Sequence, residues 1–412
     1  MKTLKTLIHL TNENSLDHLS SLIWYLLINK HKVNIYFLGN YNYKNDLRIK
    51  YFQNFKNFKI VQNHEYFENR FNLFFIRIMN FCIKNIYNIF SKPNSIICKF
   101  FSKIITKISK LKTLDVDFIF YQWGEFSHHI LPSKFFGIST IAMPHGFNFY
   151  LNEDTNYQLK KDLQNATKLK KIFLNHNIYD HYIVENQITK LRTINLGIDE
   201  KKIKVWGTPR YSEKWINFNY KNFEKNAKSE QKILFLLPHW SFKVNIDDTF
   251  DLIKSIVLKY PNQLTLKPHI RKKNNKYDDR ANDLIDHFIK NHGVNLASNI
   301  RTPSLISSHD VILGFGTSII IDALYLNKKL LITDYLQENQ TIYSEMKLPN
   351  ITYSKEDCLK KIDNIQLNNL DQKNFRLLEE KYIKQLNKRL DILDNYLITL
   401  NDLLVNHEDQ EH

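Results

Sequence analysis

Apolar residues recur along this chain in two rhythms, short continuous runs and longer stretches that step by three and four. Leu4 to Leu10 reads as a first strand, Ser15 to Lys30 as an amphipathic helix capped by Asn14 or Ser15, and Val33 to Leu38 as a second strand closed by Gly39. Strand-like runs return at Val116 to Tyr121, Ile138 to Met143, His181 to Val184 and Ile203 to Trp206. A further set lies at Lys232 to Leu237, Leu264 to Lys267, Asp310 to Leu313 and Lys329 to Thr333. Strands that alternate with helical stretches predict mostly parallel sheets, here in two α/β halves. The polar stretch from Asn217 to Gln231 reads as the linker between them. From Asp371 to Val405, apolar residues at Phe375, Leu378, Tyr382, Leu386, Leu390, Leu393, Leu397, Leu400 and Leu404 predict one long amphipathic helix. Its single seam suits a coiled-coil dimer or a helix packed back across the body of the chain. The predicted domains are therefore 1–216, a linker at 217–231, 232–370, and a terminal helix at 371–405.

Composition changes this picture in one place. The chain has 412 residues, 43% hydrophobic and 24% charged, which suits two folded domains. Its formal net charge is +16, and from Tyr41 to Lys112 there are 14 Lys and Arg against 3 Asp and Glu, so +11 of that charge falls in 72 residues. Basic residues there alternate with bulky apolar and aromatic ones, as in Phe71 to Phe90 and Ser95 to Leu111. The segment 41–112 reads as a basic, aromatic helical insertion in the first domain, either lying on an anionic membrane surface or packed on the core. Nucleic-acid binding ranks below both, because no recognition motif accompanies the charge. Cys82, Cys98 and Cys358 are too scattered for a disulfide framework or a zinc site, and the amino-terminal residues lack the apolar core of a signal peptide. A cytoplasmic location is expected.

Candidate chemistry gathers in the loops that end the strands. Ile306 to Asp334 reads as strand, glycine turn, helix and strand, with the helix from Thr317 to Leu326. Gly314-Phe315-Gly316 would leave backbone N–H groups open to a phosphate, and Thr317 and Ser318 add hydroxyls in the first turn. Asp322, one turn beyond Ser318, is placed to reach a ribose hydroxyl. An ordinary βαβ unit with Thr317 as N-cap fits the same stretch. Pro144-His145-Gly146 puts a histidine, whose pKa lies near neutrality, directly after a strand. Gly207-Thr208-Pro209-Arg210 ends another strand with a guanidinium suited to phosphate. Leu237 to Ser241 and Leu266 to Arg271 follow two strands of the second half with His239, His269 and Arg271. Asp115-Val116-Asp117 imitates a metal-binding pair but sits at a strand start, and no metal is assigned to it.

In order and spacing, Pro144 to Gly146, Trp206 to Arg210, Ile233 to Trp240, Leu266 to Arg271 and Ser308 to Ala323 resemble the motif series of bacterial CDP-glycerol glycerophosphotransferases and related capsule and surface-polysaccharide transferases. The resemblance spans about Asp117 to about Asp334. It implies the glycosyltransferase-B (GT-B) fold, two Rossmann-like domains facing across a cleft. It also implies inverting, metal-independent transfer from a CDP-, CMP- or UDP-linked donor to a lipid-linked glycan at the inner membrane face, with no cofactor. His145 matches the base for the acceptor hydroxyl. Arg210, His269, Arg271, Gly314, Gly316, Thr317, Ser318 and Asp322 match donor-binding positions. Ile270 stands where that family has proline, Gly316-Thr317-Ser318 replaces a Tyr-Ser-Ser type sequence, and the Arg-Asn-Asp ending is missing after Arg210. A rival on the same fold, the UDP-N-acetylglucosamine 2-epimerase, expects a glycine pair followed by paired glutamates, which this chain lacks. A rival outside enzymology is a membrane- or RNA-docked interaction protein worked by the basic segment.

Overall fold

Parallel pairing joins every strand to its neighbour in two separate sheets of the computed structural model. It describes residues 2–38, 42–61, 115–124, 136–144, 146–152, 154–157, 173–223, 232–269, 276–292, 294–298, 300–364 and 372–408, with scattered positions between them (78, 81, 103, 104, 107, 130, 133, 159–161, 163 and 164). The chain forms two units, one from Met1–Phe147, Lys170–Ser212 and Lys381–His412, the other from Asn148–Leu169 and Glu213–Glu380.

The first unit carries β1 (Lys5–Leu10), β2 (Lys32–Phe37), β3 (Phe58–Val61), β4 (Phe118–Gln122), β5 (Ser139–Met143), β6 (His181–Val184) and β7 (Ile203–Val205). Their order in the sheet is β3-β2-β1-β4-β5-β6-β7, so the chain reverses its direction of travel between β1 and β4. Central strands are buried along their length, as all five residues of β5 show, which is why they read as unbroken apolar runs. The helix after β1 spans Glu13–Ile28, earlier than expected. Asn12, not Asn14 or Ser15, is its N-cap: its side-chain oxygen accepts the Ser15 N–H, and the Ser15 hydroxyl oxygen accepts the Asn12 N–H in return. This reciprocal box satisfies two amides that an Asn14 cap would leave open.

The basic segment needs a correction at its amino-terminal end. Tyr43–Asn45 forms a short 3-10 turn, Leu47–Phe52 a helix, and Phe58–Val61 the edge strand β3. Residues 42–61 therefore extend the sheet rather than forming an insertion. Most of 62–112, including Lys99 and Lys110, lies outside the described residues. The Asp115 and Asp117 pair is structural. Asp117 accepts the Lys5 amide at 2.8 Å and Asp115 pairs with the Lys5 ammonium at 2.5 Å.

Where one long terminal helix was expected, the chain forms a helix at Gln372–Leu378, a π-helical turn at Glu379–Ile383, and a second helix at Ile392–Glu408. Asp391 starts the second helix by accepting the Leu393 amide at 2.8 Å and the Ser212 hydroxyl at 2.7 Å. That helix packs within the first unit. Leu393, Tyr396 and Leu400 are fully buried, the Tyr396 hydroxyl donates to the Gly207 carbonyl at 2.8 Å, and Trp206 meets the Tyr396 ring edge to face at 5.2 Å.

The second unit carries β8 (Ile233–Leu236), β9 (Leu264–Lys267), β10 (Asn295–Leu296), β11 (Val311–Gly314) and β12 (Lys329–Ile332) in the order β10-β9-β8-β11-β12. The first half of the expected linker is a helix of this unit, Glu213–Phe223, because Trp215, Ile216, Tyr220 and Phe223 bury one of its faces. Residues 224–231 lie outside the described ones. The segment after Phe147 also joins this unit, through an antiparallel bridge of Tyr150 with Thr341 and a hydrogen bond from the Leu151 amide to the Gln340 carbonyl at 2.9 Å.

Gly207 has φ +82, and a Cβ there would stand 2.6 Å from the Ile383 carbonyl oxygen. Gly207→Ala is therefore expected to lower stability by about 3 kcal/mol and to speed hydrogen exchange in Ile392–Glu408, measured by urea denaturation and mass spectrometry.

Candidate functional site

In the second unit the chain runs from β8 outward through β9 to β10, then crosses back to place β11 beside β8. The loops that leave β8 and β11 consequently part in opposite directions and open a crevice at the carboxyl edge, where α/β sheets bind ligands. The β11 loop turns sharply because Gly316 adopts φ +58. A Cβ on Gly316 would lie 2.9 Å from the Pro238 Cβ of the β8 loop, 3.2 Å from the Tyr150 hydroxyl and 3.3 Å from Gln337 Oε1. Only glycine allows these three segments to converge.

Around this point the polar groups are held in order. His239, buried after β8, shares a hydrogen bond of 2.7 Å between its Nδ1 and the Ser241 hydroxyl. Its ring lies 5.4 Å from that of His269, which is exposed after β9. Tyr150 stacks on Phe242 at 5.7 Å and donates to the Gly316 carbonyl at 3.4 Å. Burial, with the nearby Asp334 charge, raises the Tyr150 pKa far above the ordinary phenol range, so the hydroxyl remains a donor. Burial also raises the Asp334 pKa, opposed by hydrogen bonds from Thr341 and Gln337.

Of the residues expected to bind a donor, Gly314, Gly316, Thr317, Ser318 and His269 fall on this edge. Thr317 and Ser318 precede the helix rather than open it. The helix begins at Ile320, because the Ile321 and Asp322 amides first close three-residue turns onto Ser318 and Ile319. Asp322 is buried and accepts the Tyr220 hydroxyl at 3.1 Å. His145 and Arg271 lie outside the described residues. Other motif residues serve the fold. The Lys267 ammonium is buried and donates to the Ala297, Ser298 and Ile300 carbonyls at 3.0, 3.0 and 2.7 Å, and His309 bridges Thr265 and the Leu305 carbonyl.

Arg210 belongs to the first unit, where it is buried and ion-paired with Asp17. Asp17 also takes Arg48 at 2.9 Å, and Asp46 holds Arg48 from the other side at 2.7 Å. Beside this cluster lies His18, which sequence reasoning missed. It sits in the second turn of Glu13–Ile28, and a Cβ on Gly146 would be 4.0 Å from its Nε2. Burial, and then the Arg48 charge, push its pKa down to about 4. Tyr150, Asp334 and Gln337 were missed as well, since no spacing signal ties position 150 to position 337.

No family model matches the chain, and no curated protein matches it. Solved structures do. The UDP-GlcNAc 2-epimerase from Neisseria meningitidis bound to UDP-GlcNAc aligns with a TM-score of 0.54 at 12% identity, over 97% of this chain and 99% of that one. A glycosyltransferase from Rickettsia africae aligns with a TM-score of 0.53 at 14% identity, over 98% and 99%. The UDP-GlcNAc 2-epimerase from Methanocaldococcus jannaschii in complex with UDP-GlcNAc and UDP aligns with a TM-score of 0.50 at 15% identity, over 88% and 93%. The fold is accordingly of the GT-B type, with two Rossmann-like α/β units.

Two outcomes are expected from these sites. Gly316→Ala should cost about 2 kcal/mol in urea denaturation, from its positive φ and the approach of Pro238, whereas half-exposed Thr317→Ala stays within about 0.5 kcal/mol of wild type. His18 is neutral in the fold, so its contribution is complete above its unfolded pKa near 6.5 and is lost as pH falls toward about 4. Between those values wild type should lose up to about 3 kcal/mol more stability than His18→Gln, read from paired denaturation curves at each pH.

Proposed function

We propose that the chain is an enzyme of nucleotide-activated sugars whose second unit binds the donor diphosphate at the β8 and β11 loops. The observation that carries this reading is the convergence at Gly316. A left-handed glycine turn, closed on by Pro238, Tyr150 and Gln337, is followed by hydroxyls at Thr317 and Ser318, and the His239 and His269 pair lies on the neighbouring loops after β8 and β9 of the same sheet. Such an edge suits an anion, because amides, hydroxyls and imidazoles can all donate. Likeness of fold to enzymes solved with UDP-GlcNAc and UDP supports the same ligand class.

The reaction we favour is transfer of a glycosyl or glycerophosphoryl group to a lipid-linked surface glycan. His145 is the proposed base for the acceptor hydroxyl, and Arg271 and His269 are proposed partners of the donor phosphates. The resemblance of the strand-end motifs supports this choice. Binding of the basic segment to an anionic membrane would bring the enzyme to such an acceptor.

The second reading, a UDP-N-acetylglucosamine 2-epimerase, has the likeness of fold in its favour. Inverting a C–H centre requires groups that remove and return a proton. From Gly314 to Leu336 the chain has no glutamate, and its two aspartates, Asp322 and Asp334, are buried and hydrogen-bonded within the protein.

One set of measurements separates these readings. A nucleoside diphosphate at a hundred times its Kd should raise stability by about 2.7 kcal/mol. With UDP-GlcNAc in deuterated water, a transferase leaves the C2 hydrogen untouched, whereas an epimerase exchanges it, as NMR would show. His145→Ala should abolish transfer with donor affinity within about twofold of wild type, while His269→Ala weakens donor binding about tenfold. Deuterium at C2 would establish the epimerase, and absence of stabilisation by any nucleoside diphosphate would remove both readings.

A further inference from the structure

Gly146, in the first unit, is a glycine that neither backbone nor packing demands. Gly207 and Gly316 have positive φ and a crowded Cβ position, whereas Gly146 lies outside the left-handed region, and among the described residues beyond its chain neighbours the one heavy atom within 4 Å of its missing Cβ is His18 Nε2, at 4.0 Å. A space is left open there beside an imidazole. It lies at the carboxyl edge of the first sheet, because His18 belongs to the helix that follows β1 and Gly146 to the loop that follows β5. These come from opposite sides of the reversal in strand order, where α/β sheets bind ligands.

His18 is only 5% exposed and stands beside buried Leu16 and Leu19. An apolar residue would fill that position without removing a polar ring from water. Its Nδ1 is enclosed and, among the described residues, without a hydrogen-bond partner, whereas Nε2 is not enclosed and borders the space at Gly146. A partner can reach the ring only at Nε2. Buried polar groups are normally hydrogen-bonded, so an imidazole open on that one side points to a ligand that fills the space.

The charges nearby are already compensated. Asp17 pairs with Arg48 and Arg210, and Asp46 holds Arg48 from its other side. Burial and the Arg48 charge push the His18 pKa down to about 4, so at neutral pH the ring carries no charge to attract an anion. A hydroxyl suits either tautomer of a neutral imidazole, since it both donates and accepts. On the reading that the chain transfers a group from a nucleotide to a glycan, we propose that the space at Gly146 is an acceptor subsite in which His18 Nε2 holds a hydroxyl of the acceptor sugar. His18 orients the sugar and moves no proton, which is left to the proposed base His145, the neighbour of Gly146 in the chain.

The test uses the full chain, with p-nitrophenyl β-glycosides of glucose, galactose and N-acetylglucosamine as acceptor probes and UDP, CDP, ADP and GDP as donor probes, their affinities read by NMR titration. His18→Leu keeps the volume and removes both nitrogens, His18→Gln keeps a polar group at the reach of Nε2, and Gly146→Val fills the space. Melting temperatures without ligand check that all three variants fold. The glycoside that wild type binds most tightly should bind His18→Leu about fivefold and Gly146→Val at least about tenfold more weakly, but His18→Gln within about twofold of wild type. Affinity for the nucleoside diphosphate should stay within about twofold in all three, because its proposed site lies in the second unit. If His18→Gln loses the glycoside as strongly as His18→Leu, the ring only packs the helix and the inference is overturned. Glycoside binding unchanged in His18→Leu and Gly146→Val, or absent from a wild type that binds a nucleoside diphosphate, overturns the inference and leaves the donor reading standing. An equal loss of glycoside and nucleotide in the variants would mark a general defect and overturn it too. If wild type binds no nucleoside diphosphate, the reading on which the inference rests falls, and the inference with it.

Discussion

The pairing of β11 with β8 is the constraint on which the second unit depends. Val311 to Gly314 align with Ile233 to Leu236 in parallel register, so the ends of the two strands stand side by side. A chain that has already laid β9 and β10 on one flank of β8 must then continue on the other flank, with β12. The two loops diverge for that reason alone, and the space between them needs no dedicated sequence. What the sequence must supply is a residue without a side chain where the loops approach. Gly316 fills that requirement, and Tyr150 and Gln337 reach the same point from distant parts of the chain.

Several polar residues at or near the strand ends are engaged within the protein. A buried ammonium is tolerated only where acceptors replace its water, and Lys267 finds three carbonyls around the β10 connection. His309 spans a hydroxyl and a carbonyl beneath the sheet edge, and burial holds its pKa below the ordinary imidazole value. In the first unit, Asp17 and Asp46 compensate Arg48, and Asp17 also compensates Arg210. Removing one member would strand a buried charge. Polar residues at strand ends therefore divide between those that hold the edge together and those that face its opening.

The strands themselves were legible in the sequence, because parallel strands covered on both faces are continuous apolar runs that few other structures require. His181–Val184 and Leu264–Lys267 fall on their expected limits. The edge strands Phe58–Val61 and Asn295–Leu296 did not announce themselves. One lies among basic and aromatic residues that also suit a helix, and the other is two residues long. The start of the helix at Glu13 shifted because Asn12 and Ser15 form a reciprocal cap, and the terminal helix broke because Asp391 found the Ser212 hydroxyl. Both depend on partners that periodicity does not weigh.

By itself the sequence determined the class of fold, the parallel sheets and the positions of the strand-end loops, since these follow from local patterns of burial and from glycine. Gly314, Gly316, Thr317, Ser318 and His269 could be placed at one edge for that reason. Only the tertiary structure decided which groups share a neighbourhood. It brought Tyr150 to Gly316 across 166 positions and set Gln337 beside the same glycine. It engaged Arg210 with Asp17, and it buried His18 near Arg48, with Nε2 close to Gly146. Sequence spacing carries no signal for such encounters, because strand order and loop closure, not the distance along the chain, fix which side chains meet.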